Sequence, residues 1–171
     1  SKSEEFEMGF RSYITSFITP NIEYFSLLRP LSEIKIVELF SKYKNYLPYF
    51  SSCNKNFTVF KKASSQRWCG KCPKCAFTFL MLSVFLSKKE VMGIFGKNLF
   101  ENDDLVPLYR RLLGIEDIKP FDCVGTFEEA TVAFYLAHKK GEHSKDPVML
   151  MFEKLVLPAI KDINKLKAYV F

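Results

Sequence analysis

Glycine and proline are scarce in this sequence, with 7 and 8 residues respectively in a chain of 171. No segment is of low complexity, and no internal repeat is found. Disordered chains are poor in hydrophobic residues and rich in proline, glycine and charge, whereas this chain is 48% hydrophobic and contains 18 phenylalanines. We therefore expect a folded protein of one domain, or of one and a half, with a sizeable core.

A long hydrophobic run is also missing. The longest stretch with almost no charge is "CAFTFLMLSVFLS", Cys75 to Ser87, and a membrane-spanning helix needs about 20 apolar residues. The stretch therefore predicts a buried helix, and no membrane partner is expected. The first residues, "SKSEEFEMG", are polar and acidic and do not resemble a secretory signal. Together these absences predict a cytoplasmic protein.

Histidine occurs only twice, at His138 and His143, and both positions have lysines nearby. Neither histidine belongs to a Ser/His/Asp or H-E-x-x-H pattern, so the sequence gives no support for a hydrolase triad or a zincin-type metal site. We interpret both histidines as surface residues.

Helix signals are present along most of the chain. The first predicted helix runs from Glu4 to Ile18, because its aromatic and aliphatic residues recur on one side. The later helices are predicted from their starting residues: Ser32 before Glu33 to Tyr43, Pro73 before a helix to about Leu86, Ser87 with Glu90, Asn102, Thr126 with Glu129, and Asp146 with Pro147.

Two short segments favour β-structure instead. "IEYFSLL", Ile22 to Leu28, is rich in β-branched and aromatic residues, and "NFTVFKK", Asn56 to Lys62, could form a short extended piece. The predicted fold class is therefore mainly α with one or two short strands.

Three of the five cysteines are crowded into "RWCGKCPKC", Arg67 to Cys75. With Cys53 upstream they give the pattern C-x15-C-x2-C-x2-C, formed by Cys53, Cys69, Cys72 and Cys75. Four thiolates satisfy a tetrahedral structural Zn²⁺, and Gly70 gives the C-x2-C turn the flexibility it needs. A zinc ion with four thiolate ligands has no open position for water, so its predicted role is structural.

Alternatives to zinc remain open for these cysteines. An iron–sulfur cluster also takes four cysteines with overlapping spacing. Disulfides are possible, although no secretory signal is visible and the chain is large enough not to need them. A redox C-x2-C pair would leave the third cysteine of the run unexplained. Finally, the cysteines could be plain core residues. Ligand type and spacing favour zinc among these.

The order of several motifs resembles the C-terminal part of the PP-loop ATP pyrophosphatases. "RPLSEIKIVELF" (Arg29 to Phe40), Cys53 and "CGKCPKC" are similar to the zinc region of the 7-cyano-7-deazaguanine synthases. "EYFSLLRPLSE", "RWCGKCPKCAFTFL", "IFGKNLF" and "KPFDCVGTFEE" resemble more closely the ATP-dependent UDP-N-acetylmuramoyl-L-alanyl-L-glutamate epimerases. This resemblance covers most of Tyr24 to Glu129, and it implies a C-terminal part of a PP-loop α/β fold.

The resemblance implies an isomerase of peptidoglycan precursor synthesis that uses ATP with Mg²⁺. ATP would activate the carboxylate of L-Glu as an acyl-adenylate and release pyrophosphate. The adenylate acidifies the α C–H bond, so deprotonation and reprotonation from the other face give D-Glu, and hydrolysis releases AMP. The expected partners are a nucleotide and a UDP-sugar dipeptide substrate.

One part of the family pattern is missing. PP-loop enzymes hold the phosphates of ATP with a Ser-Gly-Gly-x-Asp-Ser loop, and this sequence contains no such stretch. We therefore expect a missing N-terminal half as a partner, and no turnover by this chain alone. The expected divisions are 1–50 as the end of an α/β nucleotide-binding-like domain, 51–86 as zinc knuckle and buried helix, and 87–171 as a C-terminal helical region.

Two arginines are candidate substrate-binding residues. Arg29 directly follows the predicted strand, and ligands of open α/β sheets bind at strand C-termini. It could hold a phosphate or carboxylate, or it could form an ordinary surface ion pair with Glu33. Arg67 flanks the zinc motif and could also contact substrate, whereas the adjacent Trp68 is expected to serve packing.

Cys123 is the cysteine left outside the zinc set, and it is the candidate catalytic residue. A thiolate can move a proton in a cofactor-independent epimerase, and the predicted helix start at Thr126 would favour its charged form. The alternative, which free cysteines often fulfil, is a small buried core residue.

A rival function is a non-catalytic zinc knuckle that binds nucleic acid. The net charge of +6 permits an anionic partner, although the lysines are spread along the chain as on an ordinary surface. Such a module needs aromatic and basic residues on one exposed face. The buried-looking residues after the cysteines argue for a core role, so nucleic acid is not the expected partner.

Overall fold

The computed structural model describes residues 3–56, 66–116 and 118–171. The chain divides into two compact units after Leu31. The α-helices are α1 (Glu4–Tyr13), α2 (Glu33–Ser41), α3 (Pro73–Phe85), α4 (Lys88–Phe95), α5 (Val106–Leu112), α6 (Phe127–Lys140), α7 (Pro147–Leu155) and α8 (Ile163–Val170). A π-helical turn, Ile14–Ile18, follows α1, and short 3-10 helices lie at Lys44–Tyr46, Asp103–Leu105 and Leu157–Ala159.

The helix starts follow the predicted capping chemistry. The Ser87 hydroxyl accepts a hydrogen bond from the backbone N–H of Glu90, whose carboxylate accepts in return from the N–H of Ser87. Thr126 and Glu129 form the same reciprocal pair at the start of α6. These bonds satisfy backbone N–H groups that have no partner within a helix. The prediction of a mainly α-helical protein is confirmed.

The predicted strand at Ile22 to Leu28 is wrong. The backbone N–H of Ser26 donates instead to the Glu7 carboxylate at 2.9 Å, and the Leu28 carbonyl closes a turn with the Leu31 N–H at 3.0 Å. β-branched and aromatic residues favour a strand only where a neighbouring strand pairs with it. None of the residues in the three described ranges forms a strand, so no α/β sheet is seen there. The second predicted extended segment lies outside the described residues from position 57 to position 62.

The unit from Ser32 onward is built around α3. This helix packs against α2, α4, α5 and α6. Its apolar residues point in all directions and are nearly all buried, as expected for a central helix. None of the helices in the described part of the chain is long and apolar enough to cross a membrane.

Aromatic rings fill the centre of this unit. Phe79 of α3 lies edge-on to Phe95 and Phe100, with ring centroids 5.2 and 4.9 Å apart. Phe100 in turn contacts Tyr109 and Phe134. Edge-to-face and offset-stacked pairs of this kind each contribute roughly 0.5–1.5 kcal/mol beyond simple burial.

His143 is only 2% exposed, so its interpretation as a surface residue is wrong. Its Nδ1 lies 2.7 Å from the carboxylate of Asp146, which also accepts hydrogen bonds from Asn98 and Lys88. The ring of Phe100 packs edge-on against the imidazole at 4.9 Å. A buried imidazole is tolerated here because a polar network surrounds it.

Candidate metal centre

The N-terminus of α3 positions two of the four cysteines. Cys72 is the residue that precedes the helix, with φ −90° and ψ 160°, and Pro73 occupies the first helical position. Pro73 fits there because a proline has no N–H to leave unpaired. Cys75 then lies in the first helical turn, on the same side as Cys72. Local sequence therefore places these two sulfurs close together.

Tertiary contacts bring Cys53 to the same place. The hydroxyl of Ser51 donates to the backbone carbonyl of Arg67 at 2.8 Å, which joins the two chain segments. The backbone N–H of Cys69 points at the sulfur of Cys53, 3.4 Å away. Trp68 packs between Phe50 and Phe95 with centroid distances of 5.2 and 4.5 Å.

The four sulfurs form a compact group, all within 4.8 Å of one another. Three of the pairs are Cys72–Cys75 at 3.5 Å, Cys69–Cys75 at 3.7 Å and Cys53–Cys72 at 3.9 Å. Four sulfurs at about 2.3 Å from one tetrahedral ion would stand about 3.8 Å apart. The cysteines are free thiols, far beyond the S–S bond length of about 2.05 Å. The group is thus spaced so that it can hold a metal ion.

The pKa values of the thiols in this group are shifted in different directions. The hydrogen bond between the sulfurs of Cys72 and Cys75 lowers the pKa of Cys72 and raises the pKa of Cys75. Burial raises the pKa of Cys69. The lowered pKa of Cys72 suits a group that must lose protons to bind metal.

Gly70 makes the turn between Cys69 and Cys72, with φ +63°. A β-carbon at this position would lie 2.7 Å from the Nζ of Lys97 and 3.1 Å from a methyl carbon of Leu99. Glycine is therefore favoured here by the backbone conformation, and a β-carbon would also displace the end of the Lys97 side chain. The lysine whose side chain crosses this turn was not identified from the sequence, because no local pattern links positions 70 and 97.

The two candidate arginines have clear partners. The Arg29 guanidinium forms an ion pair with Glu7 at 2.5 Å within the first unit, and this pairing lowers the pKa of Glu7. Arg67 is exposed, donates from Nη1 to the backbone carbonyl of Tyr49 at 3.0 Å and lies over the tyrosine ring.

Cys123 lies outside the four-cysteine group, on an exposed turn before α6. Its interpretation as a buried core residue is wrong. The turn is held by Asp122, whose carboxylate accepts a hydrogen bond from Asn54, and by Lys119, whose ammonium donates to the Gly125 carbonyl. Cys123 is therefore exposed to solvent.

The described parts of the chain thus define a mainly helical protein that carries a four-cysteine centre at the N-terminus of its central helix. Residues 49–166 match the family described as the MurL C-terminal domain. The match spans more than half of the chain, which therefore belongs to this family and confirms the resemblance seen in its motifs. No solved structure matches the chain.

Three curated relatives share the name UDP-N-acetyl-alpha-D-muramoyl-L-alanyl-L-glutamate epimerase. The one from Xanthomonas oryzae pv. oryzae is 38% identical over 167 residues, which are 98% of this chain and 37% of the relative. The one from Micromonospora sp. is 39% identical over 149 residues, 87% of this chain and 33% of the relative. The one from Salinispora tropica is 40% identical over 126 residues, which are 74% of this chain and 27% of the relative. The chain therefore spans about a third of the length of the curated relatives it matches.

Proposed function

We propose that the chain is the zinc-bearing C-terminal part of an ATP-dependent epimerase. This enzyme converts the L-Glu of UDP-N-acetylmuramoyl-L-Ala-L-Glu to D-Glu during peptidoglycan precursor synthesis. The observation that carries the proposal is the 38% identity to a relative of this name over 98% of the chain. A nucleotide-sugar substrate and a requirement for ATP are consistent with work in the cytoplasm.

Cys53, Cys69, Cys72 and Cys75 would hold the Zn²⁺. Thiolates are soft ligands that suit zinc, and three sulfur–sulfur distances of 3.5 to 3.9 Å bracket the spacing around one ion. The thiolates of a four-iron cluster are attached to separate iron atoms and must stand farther apart. A single ion therefore fits this group better than a cluster does.

The role proposed for the metal is structural. Four thiolates complete the tetrahedron and leave no position for a reactive water. The ion would join Cys53 to the segment that starts α3, and so fix Arg67 and Trp68, which precede Cys69. Elemental analysis of the purified protein tests this assignment: one zinc per chain is expected, and iron would contradict it.

The chemistry of inversion needs a proton donor and acceptor beside the substrate. We propose Cys123 for one of these roles, because it is exposed and lies three residues before the Thr126 cap of α6. A helix N-terminus stabilises nearby negative charge, including a thiolate. The nucleotide with its Mg²⁺ would be bound by the part of the enzyme that the relatives carry outside the matched region.

A chimera tests the function directly. This chain replaces the matched region of the Xanthomonas oryzae relative, and the chimera is incubated with UDP-N-acetylmuramoyl-L-Ala-L-Glu, ATP and Mg²⁺. We expect AMP, pyrophosphate and D-Glu, the last measured by chiral analysis after acid hydrolysis. A folded chimera that binds zinc but forms no D-Glu, beside an active parent, would contradict the proposal.

Cys123→Ser in the same chimera tests the proton-transfer role. We expect pyrophosphate release to continue, while D-Glu formation falls by about 10²–10⁴, the usual contribution of general acid–base catalysis. Unchanged formation of D-Glu would remove Cys123 from the mechanism.

Binding of nucleic acid is less well supported. That function needs exposed aromatic rings for base stacking, whereas Trp68 beside the cysteines is 4% exposed. A salt-dependent binding assay with single-stranded nucleic acid separates the two functions, because phosphate contacts weaken steeply as salt rises.

A further inference from the structure

A cavity of about 380 Å³ opens next to the cysteine centre. Its walls come from the segment before Cys69 and from the C-terminal part of α4. Arg67, Trp68 and Lys97 are among the residues that line it. The cavity belongs to neither the metal ligands nor the turn that carries Cys123.

The charged side chains in the described lining of this cavity are both positive. Arg67 and Lys97 are the charged residues among its described lining, and no carboxylate is present there. Neither cation forms an ion pair with a carboxylate anywhere in residues 3–56, 66–116 or 118–171. Two unpaired cations in a concave site attract an anion, because their fields add and the protein excludes part of the screening water.

The cavity also adjoins a donor that lacks an acceptor. The indole Nε1 of Trp68 is buried and has no hydrogen-bond partner among the described residues. A buried N–H without a partner is unfavourable, and such an atom in a native protein calls for a physical reason. The nitrogen itself has essentially no solvent-accessible surface, so the indole contributes to the cavity as a wall and not as a donor.

Both cations lie beside the cysteine segment. Arg67 is two residues before Cys69, and its Nη1 hydrogen bond to Tyr49 fixes the guanidinium. The Lys97 ammonium lies over Gly70, 2.7 Å from where a β-carbon would be. The two charges therefore both lie next to the turn that presents the metal ligands.

We propose that this cavity is a binding site for an oxyanion, held by Arg67 and Lys97 with Trp68 beside it. Guanidinium and ammonium groups both bind phosphate and carboxylate oxygens through charge-assisted hydrogen bonds. The diphosphate of a nucleotide sugar and the carboxylate of a glutamyl peptide share this chemistry. The identification of the anion as one of these two groups depends on the proposed function. The binding of an anion in this cavity does not depend on it.

Trp68 is the single tryptophan of the chain, so in protein whose zinc content is held constant its fluorescence reports on this cavity. The zinc-loaded chain is titrated at constant ionic strength with pyrophosphate, with UDP and with N-acetyl-L-alanyl-L-glutamate, and emission is excited where tyrosine does not absorb. We expect a saturable change with at least one anion. Saturation by pyrophosphate and UDP identifies a diphosphate site, and saturation by the peptide alone identifies a carboxylate site.

Variants separate this site from general charge attraction. Arg67→Gln and Lys97→Met should each weaken binding about tenfold or more, the loss expected for one charge-assisted hydrogen bond. Lys97→Arg should retain binding. Lys89→Met is the matched control, because Lys89 is an exposed lysine of α4 that does not line the cavity, and its affinity should be unchanged.

The zinc content of every variant is measured in parallel, so a lost metal site is distinguished from a lost anion site. The proposal is overturned if the zinc-loaded protein shows no saturable change with any of the three anions. It is also overturned if Lys89→Met weakens binding as much as Lys97→Met does. Epimerase activity in the chimera is a separate measurement, and its failure would leave the anion titration unaffected.

Discussion

The carboxylate of Glu129 accepts a hydrogen bond from the backbone N–H of Glu33 at 2.6 Å. Its second oxygen accepts from the N–H of Thr126 at 2.8 Å. One side chain, 5% exposed, therefore joins the first turns of α2 and α6 and satisfies an unpaired N–H group in each. A negative charge is favourable at this position, because both helix N-termini carry partial positive charge.

Glu129→Ala should accordingly destabilise the protein by about 2–3 kcal/mol, the combined loss of a helix cap and of a buried acceptor. Urea unfolding followed by circular dichroism measures the change. Glu128→Ala is the matched control, since it lies in the same turn without these bonds, and surface changes of this kind stay within about 0.5 kcal/mol. Equal effects of the two substitutions would contradict the role of Glu129.

Removal of the metal should lower Tm by at least about 5 °C. An ion present at a hundred times its Kd stabilises by about 2.7 kcal/mol, and each kcal/mol moves Tm by about 2–4 °C in a protein of this size. Thermal unfolding before and after chelation, with zinc measured in both samples, tests this.

Single Cys→Ser changes at the four ligands should reproduce the effect of chelation, and Cys123→Ser should keep both zinc and Tm. An unchanged Tm after verified loss of the ion would exclude a structural role.

Stability should decrease as the pH falls from 7 to 5. Burial lowers the pKa of His143 below its ordinary value, against the opposing hydrogen bond from Asp146. The unfolded chain therefore binds more protons once the pH falls below about 6.5, and the free energy of unfolding declines. Lys88 and Glu142 are the other charged groups that affect this imidazole.

His143→Asn removes this titration and keeps a side chain able to hydrogen bond to Asp146. The urea midpoint of the zinc-loaded variant should change less between pH 7 and pH 5 than that of the unmodified protein. The contribution of the thiolates is common to both proteins and cancels in the comparison. Parallel pH profiles would show that His143 is not the group responsible.

Gly125 and Gly141 both have positive φ, +60° and +74°, yet their surroundings differ. A β-carbon at Gly125 would lie 2.5 Å from the Phe77 ring and 2.6 Å from the Glu129 carboxylate, whereas nothing lies within 4 Å of one at Gly141. Gly141→Ala should therefore lower the free energy of unfolding by only about 1–2 kcal/mol, the cost of a left-handed backbone conformation for a residue with a β-carbon. Gly125→Ala should lower the free energy of unfolding clearly more, as measured by urea unfolding. Equal losses of stability in the two variants would contradict the close packing at Gly125.

The helix starts were predictable because capping is local chemistry. Ser87 with Glu90 and Thr126 with Glu129 lie three residues apart, so the same short pattern specifies the bond and the turn. The turn at Gly70 was predictable for the same reason, because Cys69 and Cys72 lie three residues apart. The strand at Ile22 to Leu28 failed because a strand also needs a partner, and composition does not provide one.

By itself, then, the sequence determined a mainly helical chain, its helix starts, four cysteines with metal-ligand spacing and the family to which it belongs. Only the tertiary structure decided that Cys53 joins the other three sulfurs, that His143 is buried against Asp146, and that Lys97 crosses the turn at Gly70 beside Arg67. The first group depends on residues a few positions apart, for which backbone geometry leaves few alternatives. The second depends on side chains far apart in sequence, which meet only when the apolar surface around α3 is buried.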